Sequence, residues 1–131
     1  MNSLPAALLV FSFSLISATA WADGQITYQQ VCAVCHGQGV AGAPKAGDAK
    51  AWKKLIAEGQ VPLTADGYMG VRAMPAKGGK ADLGLADFAE AVVYMANQSG
   101  ANWKAPDADM LKKMEARIAQ KNKAKAGNAK P

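Results

Sequence analysis

The segment VCAVCHGQG, residues 31–39, constrains this chain more than any other, because it holds both cysteines, Cys32 and Cys35, and the sole histidine, His36. Two thiols three positions apart close a very short loop, which restricts the unfolded chain only weakly, so a stabilising disulfide explains the pair poorly. A structural zinc site needs four ligands, and the sequence has no second pair of donors to add. A thioredoxin-like dithiol belongs at the start of a helix beside a βαβ pattern, which this sequence lacks.

C-x-x-C-H is instead the pattern of c-type heme attachment. Each thiol adds across one vinyl group to form a thioether, and a two-residue spacer matches the separation of the vinyls along one porphyrin edge. The adjoining imidazole then lies beneath the iron. Cys32 and Cys35 are therefore the expected thioether residues, His36 the expected proximal ligand, and one covalent heme c the expected cofactor. A single histidine excludes bis-histidine ligation within the chain. The methionines after residue 22 are Met69, Met74, Met95, Met110 and Met114. Met95 falls on the apolar face of an expected helix, and Met110 and Met114 on a second apolar stripe, so these read as packing. Met69 and Met74 lie in a long glycine- and proline-rich stretch. Met74 precedes Pro75 and AKGGK, a rigid turn and flexible glycines that can present a thioether to a metal. Met74 is the expected distal ligand, with Met69 the alternative. Burying several hundred Å2 of apolar porphyrin is worth on the order of 10 kcal/mol at ~25 cal/mol per Å2. That rivals the whole net stability of a small domain, so the fold is expected to depend on the heme.

Residues 1–22 read as a secretory signal. An uncharged apolar run from Leu4 to Ile16 passes into Ala20-Trp21-Ala22, a small-x-small cleavage pattern. The run is shorter than the ~20 residues a membrane span needs. Export to the periplasm is expected; an uncleaved membrane anchor is the alternative. Residues 23–103 form the expected heme domain. There Lys45, Lys50, Lys53, Lys54, Arg72, Lys77 and Lys80 balance seven acidic residues. Residues 104–131 carry eight basic residues against Asp107, Asp109 and Glu115, so the whole formal charge of +5 sits in this extension.

Helical patterns are expected at four places. DGQITYQQVCAVC takes Asp23 as its cap. DAKAWKKLIAEG is capped by Asp48 and stopped by Gly59, with Trp52, Leu55 and Ile56 on one face. Residues 60–84 are expected to be mostly loop, with one helical turn after Pro62. LADFAEAVVYMANQSG follows Gly84 and puts Phe88, Val92 and Met95 on one face. The extension starts helically with Met110, Leu111, Met114 and Ile118 aligned, then frays into a disordered Lys/Ala/Asn/Gly run. No strand alternation emerges, so the expected fold class is all-α: three to four helices around one heme, plus a basic tail.

The segments VCAVCHGQGVAGAPKAGD, AMPAKGG and LADFAEAVVYM, with Trp52 between them, resemble a class I cytochrome c of the bacterial cytochrome c5-like group over roughly residues 24–98. The resemblance implies that the Pro44 carbonyl supports His36. It also implies that the first and last domain helices cross near Gly24, Tyr28, Phe88 and Tyr94. Trp52 would pack near the heme and reach a propionate through its indole N–H, or serve only as a core aromatic. Some relatives carry a second cysteine pair, absent here, and the extension lies outside the resemblance.

Two filled axial positions leave no open site for substrate, so the expected function is a one-electron carrier of a respiratory chain, not an enzyme. Its partners would be a reductase or dehydrogenase donor and an oxidase or reductase acceptor. The alternatives are a ligand-binding or peroxidase-like heme protein with a labile sixth ligand, and a tail-docked subunit of a larger redox complex. Lys77 and Lys80 follow Met74 and either rim the heme edge with positive charge, steering acidic partners, or are ordinary solvated lysines. The tail is expected to offer a contact for an acidic partner or an anionic membrane surface, with no nucleic acid bound, and its deletion to leave the heme site intact.

Overall fold

The computed structural model describes residues 20–128. The expected signal segment therefore lies outside the described residues over 1–19, as do residues 129–131. Helix α1 (Ala20–Thr27) passes through a π-helical turn, Tyr28–Cys32, into α2 (Ala33–His36). Asp23, expected as the cap, sits in the first turn instead. Alanine and tryptophan ahead of it do not break a helix, and a carboxylate in the first turn still suits the helix dipole.

Helix α3 (Ala49–Glu58) begins where Asp48 accepts from the amides of Lys50 and Ala51, both at 3.0 Å. It stops at Gly59, whose φ of 95° suits glycine. Residues 60–69, expected as loop, form the ten-residue helix α4 (Gln60–Met69). Pro62 is the third residue of that helix, where no intrahelical amide donor is needed, so it starts the helix rather than blocking it. A loop, Gly70–Gly84, then leads to α5 (Leu85–Gln98). Finally α6 (Ala108–Asn128) opens with Asp107 accepting from the Met110 amide at 2.8 Å. The expected fraying past Ile118 is not what the structure has: the helix continues to Asn128, through lysines and alanines that favour it. Among the described residues the one extended pairing is an isolated bridge between Val71 and Met74, so the fold is all-α. No helix among them is long and apolar enough to cross a membrane.

Helix α5 is the centre of the molecule, burying Phe88, Ala89, Ala91, Val92, Val93, Met95 and Ala96 around most of its circumference. It crosses α1 at Gly24, where an added Cβ would stand 2.5 Å from the Glu90 carbonyl oxygen. Tyr28 and Tyr94 pack beside that crossing with ring centroids 5.1 Å apart. Phe88, expected at the same crossing, meets Tyr68 of α4 edge-on at 5.4 Å, because its position on α5 faces α4. Gly24→Ala should cost about 1–3 kcal/mol in chemical denaturation of the holoprotein, since backbone must move to admit the methyl group. Gly127→Ala, with nothing within 4 Å, should match or slightly exceed the parent stability.

A second apolar cluster joins α4, α5 and α6. Met114, without exposure, packs with Ala65 and Ala89, and Val61, Leu85, Met110, Leu111 and Ile118 surround them. The apolar stripe of the extension is thus buried against α4 rather than presented to solvent.

Candidate functional site

Helix α2 delivers Cys35 and His36 to one side of a cavity of about 980 Å3, and Cys32 reaches the same wall from the π-helical turn. That turn widens the helix as the chain enters the motif at Cys32, a distortion that recurs at functional sites. His36 is 7% exposed. Its Nδ1 donates to the Pro44 carbonyl at 2.9 Å. The carbonyl can only accept, so the proton resides on Nδ1 and the Nε2 lone pair is left free for a metal.

The loop that supplies this carbonyl is held at several points. The Ala46 amide donates to the His36 carbonyl at 2.8 Å. Trp52, 3% exposed, donates its indole N–H to the Lys45 carbonyl at 3.0 Å. The Gly47 amide donates to Ser99 Oγ at 2.9 Å, and that hydroxyl donates to the Met95 carbonyl at 2.8 Å. Trp52 lines the cavity, and its N–H is committed to the backbone beside Pro44, an arrangement that suits the core-aromatic alternative. Lys45 and Ser99 carry no sequence signal for this work. One acts through its carbonyl and the other looks like an ordinary helix stop.

On the other side stands the loop after α4. Val71 and Met74 exchange backbone hydrogen bonds at 3.1 and 2.8 Å around Arg72, whose φ is 52°. Gly70 must be glycine: its φ is 86°, and a Cβ would stand 2.8 Å from the Ala76 amide nitrogen. Tyr68 Oη donates to the Leu83 carbonyl at 3.1 Å and ties the loop's far end to α4. Met74 lines the cavity, as does Met95 from α5; Met69, at the end of α4, does not. Lys77 and Lys80 also lie off the cavity wall. Lys77 donates to the Ala81 carbonyl and stands 5.4 Å over the Tyr68 ring, while Lys80 pairs with Asp82 at 2.7 Å. Lys77 and Lys80 thus fit the reading as solvated lysines, and the charged residues of the cavity wall are of both signs, Lys45, Lys54 and Arg72 with Asp48, Glu58 and Asp66.

The chemistry of the wall fits a heme. Leu55, Phe88, Val92 and Met95 make it apolar, and its volume lies at the upper end of the ~300–1,000 Å3 typical of cofactor sites. Both thiols are unpaired. Burial pushes the Cys32 thiol up to about 11, so it is protonated at neutral pH, unlike the lowered thiol of a redox dithiol. Free thiols, an imidazole with one free nitrogen and a thioether thus line one apolar cavity.

Residues 19–95 match the family described as "Cytochrome C oxidase, cbb3-type, subunit III". The chain is 43% identical to "Cytochrome c-555" of Chlorobaculum tepidum, across 76% of its own length and 99% of that protein. It is 42% identical to "Cytochrome c5" of Ectopseudomonas mendocina, across 49% of its own length and 76% of that protein. Among solved structures, it matches a chain of an electron transfer complex of nitrite reductase with cytochrome c. That match has a TM-score of 0.56 and 42% identity, covering 59% of this chain and 94% of the other.

Proposed function

The chain belongs to the class I cytochrome c family, and from that premise we propose that it is a periplasmic one-electron carrier of a respiratory chain, its iron held by His36 and Met74. One covalently attached heme c supplies the one-electron couple. The observation that carries the reading is the pairing of His36, its Nδ1 fixed by Pro44 and Nε2 free, with a methionine loop on the same cavity.

Cys32 and Cys35 provide the thioethers. Trp52 acts one step removed, holding the Lys45 carbonyl and with it the Pro44 support. The Val71–Met74 backbone pair and Gly70 hold the methionine loop closed, and a methionine sulfur opposite an imidazole raises the reduction potential. With His36 and Met74 as its ligands the iron would have no position open for a substrate, which suits a protein that transfers electrons and is not an enzyme. Residues 23–103 are the heme-binding unit, 104–131 are an extension to it, and 1–22 direct export.

Its partners are redox proteins, a reductase or dehydrogenase as donor and an oxidase or reductase as acceptor; the neighbour seen with nitrite reductase supports that class. Val40 and Val71, each more than two-fifths exposed, give the cavity mouth an apolar margin suited to brief contact with such partners. A second reading, a subunit held within an oxidase complex, is favoured by the description of the matched family. Near-complete coverage of cytochrome c-555 favours the free carrier.

Carbon monoxide tests the reading. The reduced holoprotein should keep its visible spectrum under the gas, because no coordination position is open. Fast stoichiometric binding would instead establish the ligand-binding alternative. Migration of the native protein only within a larger complex would establish the subunit.

A further inference from the structure

Helix α6 reaches the wall of the heme cavity. Asp66 of α4 lines that cavity, and its carboxylate accepts from Arg117 Nε at 2.9 Å and Nη2 at 3.0 Å. Lys121 Nζ stands 2.6 Å from the same carboxylate. Both cations belong to α6. The Asp66 side chain is only 20% exposed, so this bidentate guanidinium and ammonium replace much of the water that would otherwise stabilise its charge. The Arg117 hydrogen bonds, with help from Lys121, hold the Asp66 carboxyl below the ordinary range against the upward push of burial. Glu58, a second carboxylate on the cavity wall, lies within the field of Arg117.

The same helix holds α4 mechanically. Met114 packs against Ala65, the neighbour of Asp66. The approach to α6 is pinned where Asn97 and Trp103 exchange hydrogen bonds at 2.8 and 2.9 Å, and where Gln60 Nε2 donates to the Lys104 carbonyl at 2.9 Å. Helix α4 ends at Gly70, and the backbone pair that frames Met74 starts at the next residue. A shift of α4 therefore carries the base of the methionine loop with it.

We infer that α6 braces the distal wall of the heme cavity: Arg117 and Lys121 neutralise Asp66 there and, with Met114, hold α4 so that the Met74 loop keeps its ligating position. This rests on Met74 being the distal ligand. Arg117, Lys121 and Asp66 are positioning residues, and their two effects are separable. An uncompensated carboxylate on the wall favours the more positive, oxidised iron and lowers the reduction potential. A loosened α4 lets the methionine leave and exposes the iron to small ligands.

The test compares the Arg117→Gln/Lys121→Gln holoprotein with Lys123→Gln/Lys125→Gln, which removes the same formal charge from exposed lysines of the same helix. Circular dichroism and heme content should be unchanged in both. The first variant should bind carbon monoxide measurably where the parent and the control keep their reduced spectra, as expected for loss of a coupled network of this kind. It should also have a lower potential, and adding Asp66→Asn should restore most of that potential. The control should match the parent. Equal carbon monoxide rates and potentials in the two variants would overturn the inference, as would a potential that Asp66→Asn fails to restore. Met74→Ala, measured alongside, separates the two failures. Retention of the far-red sulfur-to-iron band in that variant would refute the ligand assignment itself. Loss of the band there, with an unperturbed Arg117→Gln/Lys121→Gln protein, would refute the brace alone.

Discussion

Replacing Cys32 and Cys35 together by alanine should give a colourless chain that melts without a cooperative transition. The described residues enclose a cavity of about 980 Å3 lined by Leu55, Phe88, Val92 and Met95, the space the heme would occupy. A closed void costs ~24 cal/mol per Å3, so even a third of this volume left unfilled amounts to about 8 kcal/mol. The cavity opens to solvent on one side, which relieves part of that cost, but a small domain has only ~5–15 kcal/mol in total. Far-ultraviolet circular dichroism during heating is the measurement. Native helix content with a sharp melting transition in the heme-free variant would show that the helices pack without the cofactor.

Met74→Ala has the largest expected effect on function with the least on fold. The two hydrogen bonds that close its loop run between backbone atoms of Val71 and Met74, and alanine keeps both. The holoprotein should therefore stay folded and coloured. It should lose the weak far-red band of sulfur-to-iron charge transfer, and in the reduced state it should bind carbon monoxide. Its potential should fall by on the order of 0.1 V, a fraction of the ~0.8 V that axial ligands span in heme proteins. Met69→Ala should change none of these, because that side chain stands at the end of α4, off the cavity wall. Optical spectra and redox titration of the two variants decide between the methionines.

The brace inferred for α6 changes what truncation should do. Read as sequence, the extension is a basic appendage whose removal leaves the heme site alone. In the structure its apolar stripe is the cover of α4, and two of its cations sit on a carboxylate of the cavity wall. Stripe and charges were both visible in the sequence. Nothing in the sequence showed that they face α4, because their partners are about fifty residues away and follow no local period.

The same division runs through the rest of the molecule. Asp48, Gly59 and Gly84 mark helix ends by chemistry that acts within a few residues, and each is found at a helix end. The spacing of Phe88, Val92 and Met95 placed them on a buried face, since a helix repeats whatever its surroundings. Helix α4 was missed, beyond one turn after Pro62, because the glycines and prolines of residues 60–84 read as loop. A first-turn proline is neutral, however, and Gly67 lets Phe88 approach to 3.4 Å of where a Cβ would be.

By itself the sequence determined the chemistry: two thiols and an imidazole at the spacing of c-type heme attachment, a set of methionines, and helices long enough to surround a porphyrin. These depend on covalent reach and helical period, which are local. Tertiary structure alone decided that Met95 joins Met74 on the cavity wall while Met69 does not, that the Trp52 indole holds the Lys45 carbonyl, and that α6 closes over Asp66. Those are contacts between distant segments, chosen by what the assembled core leaves unpaired or uncovered, and no window of neighbouring residues contains that information.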